Sequence, residues 1–381
     1  MSSALKDIFL HLIRLSTGCE PCSLLQPSMP LSVCDWQALE NLANVHGLLG
    51  VMLDGVEKLP RELRPEKMAI IQSIGQLIQS EQQHAVQGHA AANMALLLHK
   101  HGILTYVLKG NVVAECYPRP EHRRSVDMDC FLAEGAGSRT QVLDSKTEDI
   151  WERGNRVLEE QGCEVRRDFY KNSTVILPGL TVENHRYLTP FRGNKTLHNL
   201  EMWLQSQLKE DSVRLKDISE IDSRKFEGTW LYRPPVMVSA LFLIEHAYSH
   251  FLHEGLTWRL VLDWMMFSKK HKDEIDWQAL NAHIYEFGFR KFYDSFCRLG
   301  QYLLGELSIE NLEHRDKLML EDVWADLDLH ETVRGFKGKI ALVGNTWRAR
   351  WKYKYFSEIS MPHALWIQIK GFMFDKNPKL G

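Results

Sequence analysis

The run Ser125-Val126-Asp127-Met128-Asp129-Cys130-Phe131-Leu132 constrains this chain more than any other stretch, because it sets two carboxylates two residues apart inside an apolar strand. Strand alternation puts Asp127 and Asp129 on one face and Val126, Met128 and Cys130 on the other. Neighbouring carboxylates repel and resist burial, so the pattern points either to a solvated edge strand or to a cation that removes the repulsion. A magnesium-type ion takes oxygen ligands from one or two carboxylates together with substrate phosphates, as two-metal phosphoryl transfer requires.

The flanking segments add phosphate-binding character. Ile103 to Leu108 reads as a buried strand that ends in Lys109-Gly110 before a short helical stretch, Asn111 to Cys116. A glycine there lets backbone approach a triphosphate, the helix start offers N–H groups, and Lys109 adds a point charge. The turn Tyr117-Pro118-Arg119-Pro120 then returns the chain through Arg123 and Arg124 to the acidic strand. Downstream, Thr174 to Leu177 and Leu180 to His185 form a hairpin around Pro178-Gly179, with Thr181, Glu183 and His185 on one face. Two metals need more than two protein carboxylates, which makes Glu183 the candidate third. Taken singly, Glu183 also reads as an exposed strand residue and His185 as a structural histidine.

The sequence Leu108-Lys109-Gly110, Tyr117-Pro118, Arg124, Asp127-Met128-Asp129 and Val182-Glu183-Asn184-His185 resembles the uncharacterised nucleotidyltransferase family, bacterial proteins of the polymerase-β-like superfamily. The likeness extends to Asp35-Trp36, Leu42-Ala43 and His46-Gly47-Leu48-Leu49 on one side, and to Ile244-Glu245-His246-Ala247 and Leu256 to Asp263 on the other. It spans roughly residues 35 to 270. It implies a nucleotidyltransferase-like fold with Asp127, Asp129 and Glu183 holding two Mg²⁺ ions. Lys109, Gly110, Asn111 and Arg124 would then lie on the nucleoside triphosphate. Where many superfamily members have Gly-Ser, this chain has Gly110-Asn111, so a serine hydroxyl is missing and Lys109 is the expected substitute. The Arg-x-x-Asp-x-Asp pattern also resembles nucleotidyltransferase toxins, which keeps tRNA among the acceptors beside small hydroxylated molecules and protein side chains.

At 381 residues the chain exceeds one ordinary core. An α+β organisation is expected: an N-terminal helical region over 1–98, a nucleotidyltransferase core with a mixed sheet over 99–190, a connecting region over 191–233 and a C-terminal helical domain over 234–381. Helical patterning covers Ala4 to Leu15, Trp36 to Leu53 and Met68 to Lys100, the last expected to pack beside the sheet. Net charge is −3, so any nucleic-acid partner needs a local basic patch. Seven cysteines do not make a disulfide framework, and Cys19-x-x-Cys22 lacks the further ligands of a zinc site, leaving loop cysteines as the simpler reading. Without a signal-peptide pattern or an apolar run of roughly 18 residues, no membrane span is expected and the cytoplasm is the default location.

Two features of the C-terminal part leave alternatives open. His246 and His250 lie four apart on a helix, either as structural histidines or lining the cleft over the sheet, and Arg259 is placed to pair with Asp263 one turn on or to reach a phosphate. Trp347, Trp351 and Tyr355 form an i, i+4, i+8 stripe among Arg348, Arg350, Lys352 and Lys354. This is either an aromatic face on the core with a solvated basic side, or a surface for nucleic acid, an anionic substrate or a membrane. The function expected from the whole is metal-dependent transfer of a nucleoside monophosphate to a hydroxyl acceptor with release of pyrophosphate. The alternative is a catalytically silent nucleotide-binding or interaction module. Removing either aspartate is expected to leave the fold intact or slightly more stable, since repulsion is relieved.

Overall fold

The computed structural model describes residues 2–19, 31–135, 149–167, 170–191, 193–215, 225–325, 347 and 349–374. Helix α1 (Ser3–Thr17) starts at Ser2, whose hydroxyl accepts the Leu5 N–H, and stops at Gly18 with φ 70°. Helix α2 (Val33–Val45) opens on a Ser32/Asp35 capping box. The helical pattern from Trp36 to Leu53 is broken in space, because Gly47 takes φ 67° and the chain restarts as α3 (Leu49–Lys58). In the 34-residue α4 (Lys67–Lys100), Ala91, Met94, Ala95 and Leu98 are buried. Met68, Ile71, Ile74 and Ile78 in its first half are exposed, and that half meets the core more sparingly, through Ala69, Ser73 and Leu77.

Six strands follow: β1 (Ile103–Val107), β2 (Asp127–Glu134), β3 (Glu164–Arg166), β4 (Asn172–Leu177), β5 (Leu180–His185) and β6 (Leu231–Tyr232). They form one mixed sheet in the order β3-β4-β5-β2-β1-β6. The β1–β2 pair is antiparallel, whereas β2 and β5 run parallel in a register that sets Asp129 opposite Glu183 and Asp127 opposite Thr181. Between β1 and β2 lies one helical turn, α5 (Asn111–Ala114).

The two faces of the sheet differ in chemistry. Helix α6 (Ile150–Glu160) covers one so closely that a Cβ on Gly154 would lie 2.2 Å from Leu132 Cδ1. There Asn155 Oδ1 accepts from Ser173 Oγ at 2.8 Å and Asn184 Nδ2 at 2.9 Å, while its own Nδ2 is buried without a partner. The opposite face carries the carboxylates and meets α7 (Lys195–Arg214) and α8 (Val236–His253). The region read from sequence as a connector with some helix contains the 20-residue α7, capped by Asn194 and burying Leu197, Leu200, Leu204 and Leu208 at helical spacing.

Beyond α8 come α9 (Trp258–Lys270), α10 (Trp277–Glu286), α11 (Arg290–Leu304), α12 (His314–Trp324), α13 (Arg350–Phe356) and α14 (Met361–Phe374). They share a core with the N-terminal helices. Arg14 of α1 donates to the carbonyls of Leu303 and Tyr302 at 2.9 and 2.7 Å, and Trp324 packs edge-on to Phe9, His46 and Trp258.

The basic-aromatic segment differs in part from either expectation. Lys352 is buried, donating to the Phe251 carbonyl at 2.7 Å and Asp322 at 2.8 Å, so it is not a nucleic-acid contact. Tyr353 and Phe356 are buried beside it, and Trp351 and Tyr355 of the stripe pack partly buried against the core, whereas Trp347 is exposed, so the core-facing side takes in two of the three stripe residues. Arg350 and Lys354 are exposed; Arg348 lies outside the described residues, as does Cys22, while Cys19 is a free thiol packed against the core. No helix among the described residues is long and apolar enough to cross a membrane.

Candidate active site

The site forms where β1 and β2 end side by side under α8. Leu108 N–H still donates to the Asp129 carbonyl at 2.9 Å, after which the chain turns at Gly110 with φ 73° and ψ −106°. That conformation suits glycine, and a Cβ there would press against Ser125 Oγ at 3.3 Å. Ser125 therefore brings a hydroxyl to the turn from the other side, a residue the sequence reading passed over while noting the missing serine at 111.

Asp129 is buried, with 2% of its surface exposed, and both its oxygens are engaged. Oδ1 lies 2.9 Å from His185 Nε2, and Oδ2 lies 3.0 Å from Lys109 Nζ in an ion pair whose angle falls short of an aligned hydrogen bond. Burial opposes ionisation of Asp129, but Lys109 and His185 outweigh it and hold the carboxyl well below the usual range. Burial likewise disfavours the Lys109 ammonium, yet Asp129, Asp127 and Glu183 together hold it above the ordinary lysine value. Glu183, across the parallel pair, is shifted up by burial and then by Asp129. Ligand atoms of Asp129, Glu183 and His185 lie within 4.8 Å of one another.

The two carboxylates of this set fit a hard divalent cation, with Glu183 raised by burial and then by Asp129 and an ammonium already drawn in, while the His185 ring nitrogen bonds Asp129 Oδ1 rather than adding an oxygen ligand. Asp127 is not in that trio. It lies half-buried in the wall of an adjoining cleft with Gly110, Ser125, His246 and Arg259. The expectation that loss of either aspartate is harmless to the fold rested on unrelieved repulsion, and for Asp129 that premise does not hold, since it is a paired buried ion.

Helix α8 supplies the roof. His246 accepts from Lys109 Nζ at 3.3 Å, stacks on Phe242 and meets His250 edge-on. Burial, then Lys109 and His250, push its pKa well below the ordinary histidine value, so it is a neutral acceptor. Of the two sequence alternatives for this residue, the cleft-lining one is the observed geometry.

Helix α9 supplies the side wall, and here the pairing differs from expectation. Asp263 is taken by Arg123, which donates at 3.0 and 2.6 Å, and by the Tyr117 hydroxyl at 2.7 Å, rather than by Arg259. Arg259 instead donates to the Arg124 carbonyl at 3.1 Å. Arg124 thus enters through its backbone, its side chain being exposed, and neither it nor Asn111 lines the cleft.

The comparisons with known proteins agree with this geometry at the level of the family. The model of the uncharacterised nucleotidyltransferase family matches residues 32–305, from the start of α2 to the end of α11. No curated protein matches the chain, and neither does any solved structure. A match over most of the chain, joined to an Asp-Glu-His trio on a mixed sheet, places this protein in the uncharacterised nucleotidyltransferase family.

Proposed function

We propose that the protein moves a nucleoside monophosphate from a nucleoside triphosphate to a hydroxyl acceptor, dependent on divalent metal of the Mg²⁺ type. The observation that carries this reading is the register that sets Asp129 beside Glu183, with Lys109-Gly110 at the end of the neighbouring strand. Asp127, Asp129 and Glu183 would hold two ions, with His185 orienting Asp129. When bound, the metal would neutralise charge on the phosphates and at the acceptor oxygen. The acceptor oxygen forms a bond to the α-phosphorus, the bond from that phosphorus to the α–β bridging oxygen breaks, and pyrophosphate leaves. Glu183, opposite Asp129 in the parallel register, would be placed to take the acceptor proton. The Gly110 turn and Ser125 hydroxyl would position the phosphates, and Lys109, which holds Asp129 at 3.0 Å, would offer its ammonium to them.

One observation favours a second reading. Lys109 and His185 already engage both Asp129 oxygens, which is how a site would look if it bound nucleotide without metal and without turnover. The acceptor class separates small molecules, proteins and tRNA ends; the burial of Lys352 removes one of the four basic residues on which a nucleic-acid surface rested. The test is transfer of label from α-³²P nucleoside triphosphates, with Mg²⁺, to cell extract fractionated into small molecules, RNA and protein. Label in one fraction supports transfer and names the acceptor class. Triphosphate binding with no label supports the silent module.

A further inference from the structure

Two segments singled out in the sequence, His46-Gly47 and Leu256 to Asp263, meet at a point not used above. His46 Nδ1 accepts the Trp258 N–H at 3.3 Å, and burial holds the ring neutral with a pKa of about 4. Beside it Gly47, at φ 67°, leaves just enough room for Arg259: a Cβ there would lie 3.3 Å from Arg259 Cδ and 3.5 Å from Nη1. The turn between α2 and α3 thus fixes the first turn of α9 and lays the Arg259 side chain along bare glycine.

The guanidinium delivered in this way makes no direct ion pair among the described residues, although Asp263 and Asp127 lie near enough to favour its charge. Nη1 holds the Arg124 carbonyl, and Nε is buried with no hydrogen-bond partner. The acid one turn along, Asp263, is occupied by Arg123 and Tyr117. Burial, then the neighbouring Arg123, weaken its hold on its proton. Arg259 is half-buried, with Nε shut away from solvent and unpartnered while the fork keeps free hydrogen-bonding capacity toward the cleft, an arrangement that docking α9 alone does not require. Arg259 lines the same cleft as Gly110, Ser125 and Asp127, so a ligand running from the carboxylates past the glycine turn ends against it. The ligand chemistry this suits is a planar fork meeting a phosphate.

We propose that Arg259, set in place by the His46-Gly47 turn, holds the terminal phosphate of the bound triphosphate and the pyrophosphate that forms from it. The assignment rests on the nucleotidyl-transfer reading of the site and gives its substrate tail a definite ligand. It also gives the N-terminal helices a role in binding, since they carry Gly47.

The experiment is titration calorimetry of the full chain with inorganic tripolyphosphate and Mg²⁺, alongside thermal unfolding without ligand. Wild-type protein and Lys269→Gln, an exposed residue at the far end of α9, are expected to bind alike. Arg259→Gln should bind at least tenfold more weakly, Arg259→Lys should fall between, and the unfolding midpoint of Arg259→Gln should equal or exceed that of the wild type. Equal binding by Arg259→Gln, or no binding by the wild type, overturns the proposal. So does a fall in midpoint in both Arg259 variants with binding lost in both, which marks a structural role. Arg259-dependent tripolyphosphate binding in a protein that transfers no nucleotide upholds the site and refutes the transferase reading. Full nucleotidyl transfer by Arg259→Gln does the reverse.

Discussion

Asp127→Asn and Asp129→Asn look like equivalent ways to inactivate the site, yet the structure makes them opposite tests of stability. Asp129 is 2% exposed and holds Lys109 at 3.0 Å and His185 at 2.9 Å. Removing its charge strands a mostly buried ammonium, a change that costs roughly 3–5 kcal/mol where a buried pair is broken. Because the Lys109 side chain keeps 17% of its surface exposed and can still reach His246, the lower end, about 3 kcal/mol, is expected. Asp127, half-buried in the cleft wall and without an ion pair among the described residues, should change stability by no more than ~0.5 kcal/mol. The assay is urea unfolding at pH 7 with a chelator present, comparing midpoints at unchanged slope. The sign with pH follows from the depressed Asp129 pKa. Its contribution is complete above the unfolded value of about 3.9 and fades as pH falls below it, so the gap to Asp129→Asn should narrow only in acid. Equal midpoints for the two variants, or an Asp129→Asn protein as stable as the wild type, would refute the argument that Lys109 is held by this carboxylate.

Other outcomes follow from the same geometry. Glu245 is fully buried with Oε1 unpartnered; burial first, and Glu201 next against the relief from Lys171, raise its pKa to about 7. A raised carboxyl means stability is lost as pH climbs from the unfolded value to about 7. Glu245→Gln should therefore gain on the order of 2–3 kcal/mol over wild type at pH 8 and nothing below pH 4, and a pH-independent difference in denaturation would exclude this account. Gly110→Ala forces a side chain into φ 73° and against Ser125 Oγ; triphosphate titration should show weaker binding, with unfolding reporting about 1–3 kcal/mol of strain. Arg123→Ala leaves Asp263 and the Tyr117 hydroxyl without their cation, so it should unfold earlier by about 3–5 kcal/mol; preserved stability would mean the bidentate pair is dispensable.

What the sequence made legible was whatever depends on short-range alternation. The strand with Asp127 and Asp129, the Pro178-Gly179 hairpin and the Lys109-Gly110 turn are local patterns, and each sits where the pattern puts it. Asp129 and Glu183 become neighbours through a parallel register that sequence reasoning required but did not derive. What escaped it was partner choice across long separations. Asp263 has Arg259 one helical turn away, but Arg123, 140 residues earlier, reaches it with better fork geometry and with Tyr117 beside it. Lys109 reads as a phosphate ligand, and nothing local adds that its ammonium also falls on Asp129. Helix α7 hid behind polar residues on its outer face, although Leu197, Leu200, Leu204 and Leu208 carried the helical spacing. Lys352 reads as a surface cation until the carbonyl of Phe251 and the carboxylate of Asp322 are in place around it.

The most direct test of the central claim is Mg²⁺-dependent release of labelled pyrophosphate from γ-³²P nucleoside triphosphate in the presence of the acceptor fraction, comparing wild type with Asp127→Asn. Asp127→Asn is the variant to use because its fold should be intact. Release by the wild type, abolished by chelator and by Asp127→Asn, is the predicted result. Full release by Asp127→Asn, or none from a wild-type protein that binds the triphosphate, would contradict the account.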